Sequence, residues 1–466
     1  MRKTNWGRAA AIAAALFTAA TRTDAAEASA KPNVVVIVAD DLGYGDLGFQ
    51  GGKDIPTPNL DRLAADGVKC TSGYVSGPVC SPTRAGLLTG RYQQRFGHEF
   101  NPGPPSEETA KVGLPLEETT IADRFRKAGY KTGLVGKWHL GNGAEFHPQQ
   151  RGFEDFYGFL GGAHPYFPGS PKNNPILRGT ETVEDPEYLT DAFAKEATAY
   201  IDRHKADPFF LLVTFNAVHN PQQAKPEHFE RFKDLPTELR RTYAGLLTGL
   251  DDAVGSVLGK LKDEKLDQNT LVIFFGDNGG PQANGSKNSP LRGQKGTTWE
   301  GGVRVPFVFK WPGKLKAGSE YSQPVIQLDV LPTALAAVGQ PVEDKSVDGV
   351  NLLPFLKGEE SGAPHDRLYW RSGLQTAIRQ GDWKLVKATG VDSPQLFNLK
   401  SDIEEQNDLS SAEPEKVKEL QTAWNAWSET LVAPKWRGAR ANPNRKQQND
   451  QKPRQKRKAA QAAQST

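Results

Sequence analysis

The sequence predicts an α/β protein: a large domain whose strands are buried on both faces, then a smaller domain of antiparallel sheet with one helix. Three observations predict it. Continuous apolar, β-branched runs recur at Asn33–Ala39, Phe209–Phe215 and Thr270–Phe275; such runs suit strands covered on both sides, whereas a half-exposed strand would alternate. Helical periodicity occupies Thr57–Gly67, Thr120–Gly129, Leu189–Lys205 and Leu239–Leu261, giving the strand–helix alternation of an α/β domain. From about Pro364 the texture changes to short strands, Thr376–Arg379 and Trp383–Val386, and a helix at Pro414–Leu431. A chain of 466 residues exceeds one ordinary core. The expected division is 31–363 for the large domain and 364–434 for the small one, without internal repeats.

The two ends read differently. Arg2, Lys3 and Arg8 precede an apolar run from Ala9 to Ala20 and then small residues, the pattern of a signal peptide over 1–26 with cleavage after Ala26 or as late as Ala30. The run is too short to span a bilayer, and no other segment is apolar enough to do so. A periplasmic or secreted protein without a transmembrane segment is therefore expected. From Lys435 to Lys458 ten Lys and Arg face one acid, Asp450. The formal charge of +3 thus conceals a body near −9 between a leader of +3 and a tail of +9. Segment 435–466 is expected to be a disordered basic tail. It is a candidate contact for a polyanion, and equally a solvated tail without a specific role.

The densest chemical signal lies at Pro78-Val-Cys-Ser-Pro-Thr-Arg-Ala-Gly-Leu-Leu-Thr-Gly90. Gly77 and Pro78 break structure ahead of it, Pro82 suits the first turn of a helix, and Leu87 and Leu88 give that helix an apolar patch. Cys80 then sits at a helix N-terminus, where free N–H groups favour an anion, with Arg84 one turn on. The chain has only two cysteines, Cys70 and Cys80. A disulfide closing a short loop is one reading for an exported protein; a reactive Cys80 beside a buried Cys70 thiol is the other.

Polar residues also gather at the carboxyl ends of the buried runs, the edge where open α/β sheets bind ligands. Strand 33–39 runs into Asp40-Asp41, and strand 270–275 into Gly276-Asp277-Asn278. Adjacent carboxylates at the end of an apolar strand are costly to bury without a cation. Oxygen donors of this kind favour calcium or magnesium. Asp251-Asp252 lies inside a helical pattern and reads as structural.

On the Pro78–Gly90 segment the chain resembles the type I sulfatases, within the alkaline phosphatase-like superfamily. Their Cys-x-Pro-x-Arg cysteine is oxidised to formylglycine by a maturation enzyme, formylglycine-generating or sulfatase-maturating. Thr83 stands where serine or alanine is commoner. Further blocks extend the resemblance over about Pro32 to Leu431: Gly129–Leu140 with Lys137 and His139, Phe215–Pro221 with His219, and Lys295–Pro306 with Lys295. The resemblance implies a large, mostly parallel central sheet between helices, and an arylsulfatase-like enzyme that hydrolyses sulfate monoesters. It implies one divalent cation, calcium rather than magnesium, held by Asp40, Asp41, Asp277, Asn278 and the modified Cys80. It places Cys80, Arg84, Lys137, His139, His219 and Lys295 in catalysis. Asp277 would take a proton from the hydrated aldehyde, which attacks sulfur. His219 would protonate the departing alcohol, and His139 would deprotonate the second hydroxyl to expel sulfate; the two histidines could exchange roles.

Glu300 and Arg304 read as an internal ion pair. His98, His147, His204, His228 and His365 read as surface or core groups, while His164 follows the Arg151–Tyr157 block and is a candidate to face the pocket. Specificity is expected in loops 141–150, 164–185 and 281–289, with Tyr166, Phe167 and Trp299 as aromatic faces for a sugar. The expected substrate is a sulfated oligo- or polysaccharide, with small aryl sulfates as surrogates. Two alternatives stand: a phosphate or phosphonate ester hydrolase of the same superfamily, and a catalytically silent sulfoglycan-binding protein.

Overall fold

Asn33–Ala39 is the central strand of a ten-stranded sheet in the computed structural model, which describes Met1 and residues 31–342 and 344–437. It lies between Phe209–Thr214 and Thr270–Gly276, parallel to both, with Val36 opposite Leu212 and Ile273. Lys131–Lys137 and Asp155–Phe159 continue the parallel set on one side. On the other, Phe307–Lys310 pairs antiparallel with Thr270–Gly276 and leads to Val68–Cys70 and Ser319–Tyr321. The short strands Leu177–Arg178 and Glu181–Thr182 close the opposite edge.

Alternate residues of the central strand enter different cores. Val34, Val36 and Val38 pack with Phe125 and Leu331, while Val35, Ile37 and Ala39 pack with Phe193, Leu247 and Val254. Helices Ile121–Lys127 and Val330–Ala337 supply one layer, and Leu189–His204 and Glu238–Asp263 the other. Because both faces are apolar, alternation cannot set the register; the polar ends do. Asn33 accepts from Phe209 N at 3.0 Å, and a one-residue slip would drag Asp40 into the apolar layer. Burying an unpaired carboxylate costs far more than the roughly 1.5–3 kcal/mol that one buried aliphatic side chain contributes.

The five helices expected with both ends appear, no end shifted by more than two residues, and a sixth begins at Cys80. Lys131–Lys137 and Asp155–Phe159 did not read as strands, because glycines interrupt their apolar pattern. The glycines answer to close packing: a Cβ on Gly133 would meet the Tyr200 ring at 2.3 Å, and one on Gly136 (φ +122°) would meet Thr214 O at 2.0 Å.

The small sheet runs Arg367–Ser372, Gln375–Gln380, Trp383–Lys387, Gln395–Asn398, all antiparallel. Ile378, Leu385 and Leu396 on one face meet Leu420 of helix Pro414–Glu429. Trp370, Ala377, Val386 and Phe397 on the other pack against Tyr74, Trp299 and Ile326 of the large domain. At this joint the fully buried Lys384 ammonium lies 2.8 Å from Glu300 and 2.9 Å from Glu405, and Arg304 lies 3.2 Å from Glu300. The Glu300–Arg304 pair is thus part of a larger buried network. One ammonium between two carboxylates leaves Glu405 under-compensated: burial, aided by the Glu300 charge and opposed by Lys384, pushes its carboxyl up to about 7. The folded state therefore holds a proton that the unfolded chain releases near the ordinary Glu value, so this group's contribution to stability is lost as pH rises through about 7. Glu405→Gln should flatten the fall in Tm between pH 5 and 8, measured by thermal unfolding across that range. A Tm difference from the parent that is constant with pH would contradict this assignment.

Lys435 and Trp436, assigned to the tail by sequence, pack instead against the large domain. Lys435 N donates to Gly97 O and Trp436 Nε1 to Phe100 O, because the indole finds an apolar seat beside His98. The expected signal peptide and the remainder of the tail fall outside the described residues. Among the described residues no helix is long and apolar enough to cross a membrane.

Candidate active site

Four parallel strands and one helix N-terminus converge on the same edge of the sheet. Asp40 and Asp41 follow Asn33–Ala39, Asp277 and Asn278 follow Thr270–Gly276, and Lys137 ends its strand with His139 two residues on. His219 follows Phe209–Thr214. Cys80 is the first residue of helix Cys80–Thr89, whose last turn closes on Gly90 in the left-handed region. Asp41 and His139 also have positive φ, 61° and 62°, uncommon for non-glycine residues and concentrated at functional sites.

The carboxylates are matched one to one by cations. Lys137 Nζ lies 2.6 Å from Asp40 Oδ2, Lys295 Nζ 2.6 Å from Asp41 Oδ1, and Arg84 donates from Nε and Nη2 to Asp277 Oδ2 at 3.0 and 2.9 Å. The Cys80 thiol lies 3.3 Å from both Asp40 Oδ1 and Lys295 Nζ. His219 Nε2 is 3.6 Å from Asp41 Oδ2. Asn278 Nδ2 donates to Asp41 Oδ1 at 2.7 Å, and Asp41 N to Asp277 Oδ1 at 3.3 Å.

Burial and charge then set the proton affinities. Burial opposes ionisation of Asp40, yet Lys137, His219 and Arg84 hold its carboxyl far below the usual range. Asp277 goes the other way: burial and the Asp40 charge outweigh Arg84 and push it up to about 6. Burial, with Asp277 and Asp40, raises the Cys80 thiol well above the ordinary value. The helix N-terminus therefore does not yield a thiolate here, because desolvation and two carboxylates outweigh the dipole. His139 is held well below its ordinary value by burial and by Lys137 and Arg84. His219 is lowered by burial, with Asp41 pulling against it.

The donor set fits a hard cation. Asp40, Asp41, Cys80 and His219 bring ligand atoms within 4.8 Å of one another. Asn278 Oδ1 is buried without a hydrogen-bond partner among the described residues, and an orphaned amide oxygen beside two carboxylates is what oxygen coordination of calcium or magnesium requires. The set assembled by geometry includes His219, which sequence placed only in catalysis. Asp277 and Asn278 join it through their contacts with Asp41.

Support residues escaped the sequence reading. Ser81 Oγ donates to His139 O and lies 2.6 Å from His98 Nε2, while Ser81 N donates to Asn101 Oδ1. His98, read as bland, thus braces the residue after Cys80 and the backbone of His139; burial holds it neutral, down to about 3. Nothing in its spacing signals this, because the contact is made by a loop folding back.

Other expectations are corrected. Tyr166 and Trp299 are buried rather than presented to a sugar. Tyr166 Oη donates to Asn216 O and His219 O, bracing the His219 segment, and Trp299 packs on Phe397. Phe167 packs on Tyr188. His164 is occupied by Pro165 O and Ser170 Oγ. The structural reading of Asp251 is borne out: it accepts from Asn59 N and Leu60 N, capping helix Pro58–Ala65. Cys70 and Cys80 are both buried free thiols, which removes the disulfide reading.

Anionic and cationic groups are thus arrayed around a helix N-terminus at the carboxyl edge of a mostly parallel sheet, the edge where such folds bind ligands. Comparison with known proteins gives the class. The family model described as Sulfatase matches residues 32–340, and that described as N-sulphoglucosamine sulphohydrolase, C-terminal, matches 294–426. The chain belongs to the sulfatase family, and is a sulfuric ester hydrolase. It is similar to N-acetylgalactosamine-6-sulfatase of Mus musculus, 36% identical over 81% of this chain and 76% of the relative, and to mouse arylsulfatase J, 31% identical over 89% and 79%. The solved structure of Ps i-CgsB in complex with k-i-k-neocarrahexaose superposes with a TM-score of 0.83 at 38% identity, covering 87% of this chain and 94% of that one.

Proposed function

We propose that the protein hydrolyses sulfate monoesters on an oligo- or polysaccharide, using a formylglycine made from Cys80 and one divalent cation, calcium. The observation that carries this reading is the position of Cys80 Sγ, 3.3 Å from both Asp40 Oδ1 and Lys295 Nζ in a site that suppresses its ionisation. A thiol that cannot ionise is a poor nucleophile, while an oxygen group there would meet cations and a proton acceptor. Relatives named for N-acetylgalactosamine 6-sulfate, and a neighbour holding an oligosaccharide, support a carbohydrate substrate.

A hydrated formylglycine supplies one nucleophilic hydroxyl and a second through which sulfate can be expelled. Asp40, Asp41, Asp277 and Asn278 would hold the cation beside residue 80, where it would supply charge neutralisation and lower the pKa of the adjacent hydroxyl. Asp277, at the same strand end, would accept that hydroxyl's proton. Lys137 and Lys295 meet the sulfuryl oxygens with their positive charges. Arg84, anchored on Asp277 and on Lys137 O, orients the base. His139, held neutral, suits the removal of a proton from the second hydroxyl. His219, the histidine with a carboxylate at 3.6 Å, is better placed to carry a proton to the leaving alcohol.

His219→Ala should therefore cost about 10²–10⁴-fold in kcat on a sulfated sugar and under about tenfold on 4-nitrocatechol sulfate, whose leaving group needs no proton. Equal losses on both substrates would reassign the histidine. The reading as a whole is tested by the mass of the peptide containing residue 80 in exported protein, with sulfate release from sulfated oligosaccharides set against phosphonate and phosphate esters. An aldehyde in place of the thiol is expected. An unmodified thiol in active protein would overturn the reading. Export through the 1–26 leader places the enzyme where extracellular polysaccharide is met, and the basic tail offers such a polyanion a contact.

A further inference from the structure

We infer that Gln375, on the small domain's first hairpin, is a positioning residue for catalysis: its amide fixes the loop that carries Lys295. This rests on the reading of Lys295 as a sulfate ligand, and it gives the small domain a function at the chemical centre.

Gln375 opens strand Gln375–Gln380, directly after the turn at Gly373-Leu374. Its Nε2 donates to Gly296 O at 2.8 Å. Its Oε1 accepts from Thr298 N at 3.4 Å and from Thr389 N at 3.1 Å. One amide donor and the amide oxygen thus join the sheet to the two residues that flank Thr297, and the same oxygen also accepts from Thr389 N. Gly296 N in turn donates to Pro78 O at 2.7 Å, so the two peptides of this one residue link Gln375 to the segment entering Cys80. Gly296 lies at φ +83° with open space around it; its own packing does not fix this peptide, and the hydrogen bonds do. The far end of the loop is clamped separately, where Glu300 N donates to Glu405 Oε2 and Lys384 pairs with both acids. Arg292 closes the near end, its guanidinium 3.8 Å from the Trp299 ring centroid and its Nη1 donating to Glu405 O.

A lysine on a flexible four-carbon stem is a movable point charge, so the placement of its backbone decides where that charge rests. The far end of the loop is tied by buried charges, Glu300, Glu405 and Lys384, which makes their loss a stability matter. Gln375 is half-buried and ties only the middle, where Lys295 sits, so its removal should move the ammonium without unfolding the domain. A misplacement of about 1 Å can cost about 10²-fold in rate, and freeing one hydrogen-bonded peptide should give a part of that.

The test is a double-mutant cycle of Gln375→Ala and Lys295→Ala in the full, matured chain. It is read on kcat/KM for 4-nitrophenyl sulfate and on the inhibition constant of inorganic sulfate, so that a very slow Lys295→Ala variant does not block the second reading. Gln375→Ala alone should lower kcat/KM about tenfold and weaken sulfate inhibition, with Tm close to the parent. Gln375→Glu, which keeps the acceptor but loses the donor to Gly296 O, should behave like the alanine variant. In the Lys295→Ala background the Gln375→Ala effect should vanish in both readouts. Equal losses with and without Lys295, or no loss in the parent background, would overturn the positioning role. If Lys295→Ala itself kept full kcat/KM and sulfate inhibition, the sulfate-ligand reading would fall, and the role of Gln375 with it; the single-variant comparison tells these failures apart.

Discussion

Cys80→Ala should lower sulfate-ester turnover by about 10⁴–10⁶-fold, the scale on which an enzyme loses its nucleophile. The variant should fold, because alanine favours a helix and Cys80 ties the structure by thiol contacts alone. Cys80→Ser makes the sharper comparison. Serine offers one hydroxyl at the same helix position, within reach of the same cations, but has no second hydroxyl whose deprotonation expels sulfate. Should transfer to serine occur, the sulfate stays, and intact mass should show one added SO₃ without turnover. Steady-state release of sulfate from Cys80→Ala at the parent rate would sink the whole mechanism, whatever the aldehyde content of the parent.

The second large effect is expected from removing the cation. Exhaustive chelation should reduce activity by about 10³-fold, since charge neutralisation and hydroxyl activation are both lost. Calcium should restore activity better than magnesium at matched free concentration. The protein itself already supplies the argument for a cost in stability. Asp40, Asp41 and Asp277 lie buried together, offset by Lys137, Lys295 and Arg84 with His219 beside Asp41. A cation bound to the folded state alone adds about 2.7 kcal/mol at a hundred times its Kd, so Tm should rise with added calcium and fall with chelator. Activity that persists with no divalent metal by elemental analysis would refute the cation's part and leave Cys80 to be judged separately.

Much of this centre is legible in the amino-acid order, for a physical reason. The strands that carry it are buried on both faces, so they appear as unbroken apolar runs, and the first polar residue after each run marks the sheet edge. Asp40, Asp41, Asp277 and Asn278 are visible in that way, and His219 nearly so. Lys137 and His139 are not, because their strand contains Gly133 and Gly136, placed there by contact with Tyr200 and Thr214. Those residues are recognised only through the resemblance of the Gly129–Leu140 block. Tyr166 shows the opposite failure. An aromatic residue in a Gly- and Pro-rich loop reads as a surface for sugar, but the loop folds inward and uses its hydroxyl to hold the His219 backbone.

The sequence by itself determined the α/β class, the helix that begins at Cys80, the kinds of group at the strand ends and the membership in a sulfatase-like family. All of these depend on residues close together in the chain, where apolar period, turn residues and motif spacing are read directly. Only the tertiary structure decided which cation meets which carboxylate. Arg84 and Asp277 are 193 positions apart, and Gln375 and Gly296 are 79 apart. It also decided that the Cys80 thiol is suppressed despite its helix N-terminus, and that Asp277 rather than Asp40 is the basic carboxylate. Proton affinity follows from desolvation and from charges within a few ångströms, and those neighbours are assembled by the fold.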